Sequence, residues 1–149
     1  MKRKINEMKL RLPAISVNEA VARSVISAFV AELDPTVEEL GDIRCAVSEA
    51  VTNCTVHAYP ASPGEIVLDM GIYEDGRLRV AVIDHGCGIP DVAQAMTPLF
   101  TTGAIGERSG LGFSVMESFM DSLRVRSKVG QGTTVTMRKK IICRGRKHG

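Results

Sequence analysis

The sequence predicts an α+β domain whose helices cover one face of a largely antiparallel sheet. Two features carry that expectation. Between residues 17 and 57, apolar side chains recur at spacings of three and four, as a helix requires. Beyond residue 64, most segments alternate in steps of two and are split by glycine-bearing turns, as paired strands require. Helices therefore come first and strands mostly after, unlike the strict alternation of a doubly wound protein. A length of 149 residues fits one domain by the usual span of ~100–200 residues.

Residues 9–15 alternate weakly and predict an edge strand. Residues 18–33 predict a helix, with Val17, Val21, Val25, Ala28 and Phe29 as its apolar stripe. Asp34-Pro35 ends it. Thr36 and Glu39 then form the pattern of a capping box, in which a hydroxyl and a carboxylate satisfy free amides at a helix start. This second helix is expected to run to about His57, with Leu40, Ile43, Val47, Val51 and Cys54 facing the core. Residues 65–73 and 77–84 read as strands joined by a turn at Asp75-Gly76. A glycine-bearing loop follows over 84–90, and a mobile loop is expected over 98–110. A short buried helix is expected over 113–120. Residues 122–128 and 133–142 close the chain as a second hairpin around Val129-Gly130-Gln131-Gly132.

Composition narrows the function classes. Hydrophobic residues at 44% and charged residues at 24% exclude a disordered or low-complexity chain. No apolar run approaches the ~18 residues of a membrane span, and the first ten residues are too charged for a signal peptide. A cytoplasmic chain without membrane contact is expected. Cys45, Cys54, Cys87 and Cys143 have no spacing typical of a zinc site and are expected as reduced thiols. Six of the 19 Lys and Arg residues follow Met137, leaving 13 against 17 acidic residues in the body. Residues 141–149 read as a basic, flexible tail. No aromatic residue is interleaved with its cations, so direct nucleic-acid binding is not expected.

Three groups of residues suggest chemistry. Glu49 and Asn53, four apart on the second helix, share a face, with the small Ala46 and Ala50 beside it. An amide oxygen suits magnesium, and a carboxylate one turn away suits proton abstraction from a hydroxyl. Asp84 precedes Gly86 and Gly88 directly after a strand, where glycines admit a planar ligand and Asp84 accepts from an exocyclic amine. Gly110, Leu111 and Gly112 open the 113–120 helix, where successive amides favour phosphate oxygens and Arg108 adds charge. Singly, the three also fit a solvated polar face, a tight turn and a flexible connector.

In this order, the motifs resemble those of the gyrase, heat-shock, histidine-kinase and mismatch-repair ATPase superfamily. Gly132-Thr133 is similar to its last nucleotide motif. Residues 48–53, 98–102 and 107–113 resemble the small anti-sigma serine kinases of endospore-forming bacteria, and the likeness runs from about residue 6 to 140. It implies a Bergerat-type two-layer sandwich with helices over a mixed, largely antiparallel sheet, binding ATP or ADP with Mg2+. By that resemblance Asn53 ligates magnesium, Asp84 binds the adenine amine and Thr133 supports it. Gly110, Leu111 and Gly112 wrap the phosphates, Glu49 is the base and Arg108 stabilises the transferring phosphoryl. Glu19 and Arg23 grip protein partners; by spacing alone they are a surface ion pair. The implied activity is sequestration of a sporulation sigma factor, and serine phosphorylation of its anti-anti-sigma antagonist, by a homodimer. A general stress-response kinase, or an ATP-holding anti-sigma module without transfer activity, are the alternatives. Gly103 stands where the family lid usually has lysine.

Overall fold

The computed structural model describes residues 2–97 and 112–142, and within them five strands form one sheet in the order β1-β2-β3-β5-β4. These are β1 (Lys4–Pro13), β2 (Glu65–Tyr73), β3 (Arg77–Asp84), β4 (Ser122–Lys128) and β5 (Gly132–Lys140). All four pairings are antiparallel. Ile66, Leu68, Met70 and Ile72 of β2 point inward with Leu78, Val80 and Val82 of β3, and Val135 and Met137 of β5 complete that face. The helices α1 (Val17–Val30), α2 (Val37–Asn53), α3 (Val92–Met96) and α4 (Phe113–Phe119) supply the other layer. One core cluster joins the two layers.

The first strand starts five residues earlier than its alternation suggests and stops at Pro13. Its register against β2 runs from Lys4 opposite Tyr73 to Pro13 opposite Glu65, so the partner's length sets its own. Its residues are mostly exposed, and an edge strand of that kind shows little apolar alternation.

Helix α1 forms where expected, but its buried stripe is Ala22, Ile26, Phe29 and Val30, with Asn18 at the start. Val17 is 63% and Val21 38% exposed, which overturns their assignment to the core face. Both stripes satisfy a helical period and differ by one residue, or about 100° around the axis. Asn18 decides between them, because its Nδ2 donates to the Pro13 carbonyl at 2.8 Å and holds that side inward. A 3-10 turn (Ala31–Leu33) follows, and Asp34 adopts a left-handed φ of 52° before Pro35 stops the helix.

The capping box forms as its pattern predicts. Thr36 Oγ1 accepts from the Glu39 amide at 3.0 Å, and Glu39 Oε1 accepts from the Thr36 amide at 2.9 Å. Ile43, Val47, Val51 and Cys54 are buried along the predicted face. The helix ends in a widened π turn (Cys54–Ala58). Beyond β5, Ile141 is 1% exposed and donates its amide to the Gly76 carbonyl at 3.0 Å. It therefore belongs to the core rather than to a tail; residues 143–149 lie outside the described residues.

Removing the Thr36 hydroxyl in Thr36→Ala should cost about 1 kcal/mol of stability, the usual value of an N-cap. Urea denaturation of the two proteins measures it, and an unchanged midpoint would show the cap to be replaceable by water.

Candidate functional site

The loop after β3 is pinned from two sides by backbone. On one side lies the π turn at the end of α2, whose Ala58 carbonyl accepts from the Cys87 amide at 2.9 Å. A Cβ on Gly86 would run into that same carbonyl, so only glycine lets the loop lie so close. Tyr59 adds a second tie, its hydroxyl accepting from the His85 amide at 2.7 Å and donating to the Glu65 carbonyl at 2.8 Å. Burial pushes the Tyr59 hydroxyl pKa up, which keeps it a donor. On the other side lies the β4–β5 hairpin. The Gly130 amide donates to the Cys87 carbonyl at 2.8 Å, and Ser127 Oγ accepts from the Ile89 amide at 2.8 Å.

Asp84 sits at the centre, 7% exposed. Its Oδ1 accepts from the Gly86 amide at 2.9 Å and from the Thr133 amide at 3.2 Å. Its Oδ2 accepts from Cys54 Sγ at 3.6 Å. Burial raises the Cys54 thiol pKa, and the adjacent Asp84 carboxylate pushes it the same way, so the sulfur remains a protonated donor. Thr133 Oγ1 is 2.8 Å from Ser127 Oγ, which fixes the threonine in turn. At Gly132 the backbone has φ of 117°, and a Cβ there would strike the Asp84 carbonyl.

Beside this carboxylate opens a pocket with about 380 Å³ of empty space, part of it open to solvent. Asn53, Asp84, Gly88 and Thr133 line it, with Ala50 and Phe113 as apolar walls. Asn53, Asp84, Gly88 and Thr133 thus converge on one cavity although they lie up to 80 residues apart in the chain, whereas Gly86 and Gly112 do not line it. Glu49 opens elsewhere. It borders a second, shallower cavity of about 710 Å³ between α1, α2 and α4. The shared face expected of Glu49 and Asn53 is thus split between two cavities one helical turn apart. Gly112, with φ of 62°, starts α4 directly against the Glu49 carboxylate, where a Cβ would collide with it. Arg108, Gly110 and Leu111 lie outside the described residues.

Glu19 and Arg23 form the predicted ion pair, Nε to Oε2 at 3.1 Å. The pair is also tied to α2, because Ser48 Oγ donates to the same Glu19 oxygen. Two pocket residues escaped the sequence reading in this role. Cys54, expected on the core face, and His57, expected only to mark the helix end, both line the pocket. Their spacing of one and four residues after Asn53 was the available signal. No three His, Cys, Asp or Glu side chains converge on a metal point among the described residues. No helix among them is long and apolar enough to cross a membrane.

Residues 12–139 match the family of histidine kinase-like ATPase domains. The catalytic domain of histidine kinase ThkA superposes with a TM-score of 0.52 at 15% identity, covering 92% of this chain and 97% of that one. The RsbU and RsbW domains of a Mycobacterium tuberculosis protein give a TM-score of 0.67 at 24% identity, over 92% of this chain and 33% of that one. Fold and pocket together define an ATP-binding domain of the histidine-kinase type. The anti-sigma F factor of Geobacillus kaustophilus is 52% identical over 136 residues, spanning 91% of this chain and 93% of that one. The chain belongs to the anti-sigma F factor family.

Gly132→Ala should lose about 1–3 kcal/mol of stability, the range for a strained backbone position. It should also weaken ATP binding by displacing Asp84. Denaturation and nucleotide titration on one preparation check both, and normal ATP affinity would separate Gly132 from the pocket.

Proposed function

We propose that this protein is an ATP-dependent serine kinase that holds sigma F inactive and phosphorylates an anti-anti-sigma protein on serine. The observation that supports transfer, beyond kinship, is the seat of Glu49. Its carboxylate lies against Gly112, the residue that caps α4 at the end of the proposed phosphate-binding motif, and one turn from Asn53.

In this reading adenine lies in the pocket beside Asp84, whose carboxylate is already oriented by two amides and accepts from the exocyclic amine. Gly86 and Gly88 let the backbone approach the ring, and Thr133 holds Asp84 in place. Gly110, Leu111 and Gly112 surround the phosphates, and Arg108 offsets charge on the transferring group. A single amide oxygen, from Asn53, fits a cation that takes its remaining ligands from phosphate and water, as magnesium does. Magnesium, when bound there, would neutralise phosphate charge. Glu49 takes the proton from the acceptor serine as its oxygen bonds to the γ-phosphorus and the bond to ADP breaks.

Partner recognition is assigned to Glu19 and Arg23, which stand on α1 away from the nucleotide pocket yet reach α2 through Ser48. A homodimer in the cytoplasm completes the reading, on family resemblance.

Glu49→Gln should cut phosphoryl transfer by about 10²–10⁴, the usual weight of a general base, while ATP still binds. Nucleotide titration beside a transfer assay tests this, and equal losses in both would make Glu49 structural. Asn53→Ala should fail earlier: its ATP affinities with and without magnesium should converge. Undiminished tightening by magnesium would reassign the ligand.

A further inference from the structure

The second cavity is separate from the pocket beside Asp84, and the proposed base opens onto it. Helix α2 lines it with Gly41, Arg44, Cys45, Ser48 and Glu49, a stripe distinct from the Ala50, Asn53, Cys54 and His57 stripe that faces the nucleotide pocket. Glu49 and Asn53 are the adjoining edges of these two stripes. A hydroxyl that reaches Glu49 without displacing nucleotide must therefore arrive from this groove. Its far wall is apolar, with Val115 39% exposed and Phe119 beside it. Its cations are unequal: Arg23 is paired with Glu19, whereas Arg44 is exposed and makes no ion pair with a described residue. The floor is open, since a Cβ on Gly41 meets nothing within 4 Å.

We propose that this groove seats the acceptor segment of the phosphorylated protein and that Arg44 selects an acidic residue a few positions from the acceptor serine. The inference rests on the kinase reading above. The spacing follows from helix geometry. Arg44 and Glu49 are five residues apart, about 7.5 Å along the axis and about 140° around it. Their side chains therefore enter the groove from its two sides, roughly 10–14 Å apart, which an extended peptide spans in about three or four residues. With the serine hydroxyl at Glu49, a carboxylate about three or four residues away lies within reach of Arg44. An apolar side chain of the same segment meets Val115. Arg44 is thus a specificity-determining residue outside the chemistry.

The test uses the full chain and the purified anti-anti-sigma protein of the same organism. In Arg44→Glu the KM for that protein should rise about tenfold or more, as a like-charge contact at an interface predicts, with kcat and ATP titration little changed. Arg44→Lys should recover most of the loss, which a merely structural role would not predict. Gly41→Leu fills the groove at a helical position with open space, so it should fold and bind ATP but transfer poorly. Docking is read separately from transfer in Glu49→Gln with ATP, by iodoacetamide labelling of the exposed Cys45 and Cys87. The acceptor protein should slow labelling of Cys45, in the groove, and leave Cys87 unaffected. Protection of Cys45 with no phosphoserine formed by the wild-type protein would overturn the kinase reading and uphold the groove. Transfer by Arg44→Glu and Gly41→Leu with wild-type kcat/KM, or unprotected Cys45, would overturn the groove.

Discussion

A carboxylate removed from water costs several kcal/mol unless donors replace its hydration, and Asp84 draws its donors from three separate parts of the chain. The Gly86 amide belongs to its own loop, the Thr133 amide to the last strand, and the Cys54 thiol to the end of α2. Each donor is in place only if its element is. The Gly86 contact requires the loop to lie on Ala58, and the Thr133 contact requires β5 to run beside β3 in the observed register. The raised thiol pKa of Cys54 belongs to the same arrangement, since a thiolate there would face the carboxylate with no proton between them. The pocket is shaped by the same groups that satisfy this one charge.

Helix α2 carries most of what the site needs and divides it by face. Its C-terminal turns present Ala50, Asn53, Cys54 and His57 to the nucleotide pocket. A buried side anchors the helix through Ile43, Val47 and Val51. The remaining side opens on the groove that holds Glu49. A rigid helix is a good place for such a division, because its residues keep their relative positions to within a rotamer. The glycine that caps α4 lies against Glu49 without a side chain between them.

Much of this was legible because it is local. The capping box, the turn at Asp75-Gly76 and the strands over 65–73 and 77–84 each depend on residues close together in sequence, and each formed as read. The resemblance named Asp84, Asn53, Gly88 and Thr133, which the fold gathers around one pocket. What escaped depends on partners far away. The stripe of α1 was misplaced by one residue because periodicity alone cannot see the Pro13 carbonyl that holds Asn18 inward. The extent of β1 follows from β2, more than 50 residues later. Cys54 reads as core from its spacing, and its bond to a carboxylate 30 residues away leaves no local trace.

Glu39 has a second task. While Oε1 closes the capping box, Oε2 accepts from the Ile142 amide at 3.3 Å, across 103 residues of chain. Together with the β3–β5 pairing, this delays much of the ordering of the fold until β5 and Ile142 have been made. On a ribosome adding roughly 5–20 residues per second, the early helices wait several seconds for the strand that completes their sheet. Contacts so distant in sequence also slow folding, because loop closure costs entropy before the contacts return it. If nucleotide binds beside Asp84 as proposed, it enters a pocket that Thr133 has already helped to shape, and so follows the closing of the sheet rather than leading it. Its effect on folding is confined to the finished protein, where binding draws the equilibrium toward the native state by mass action.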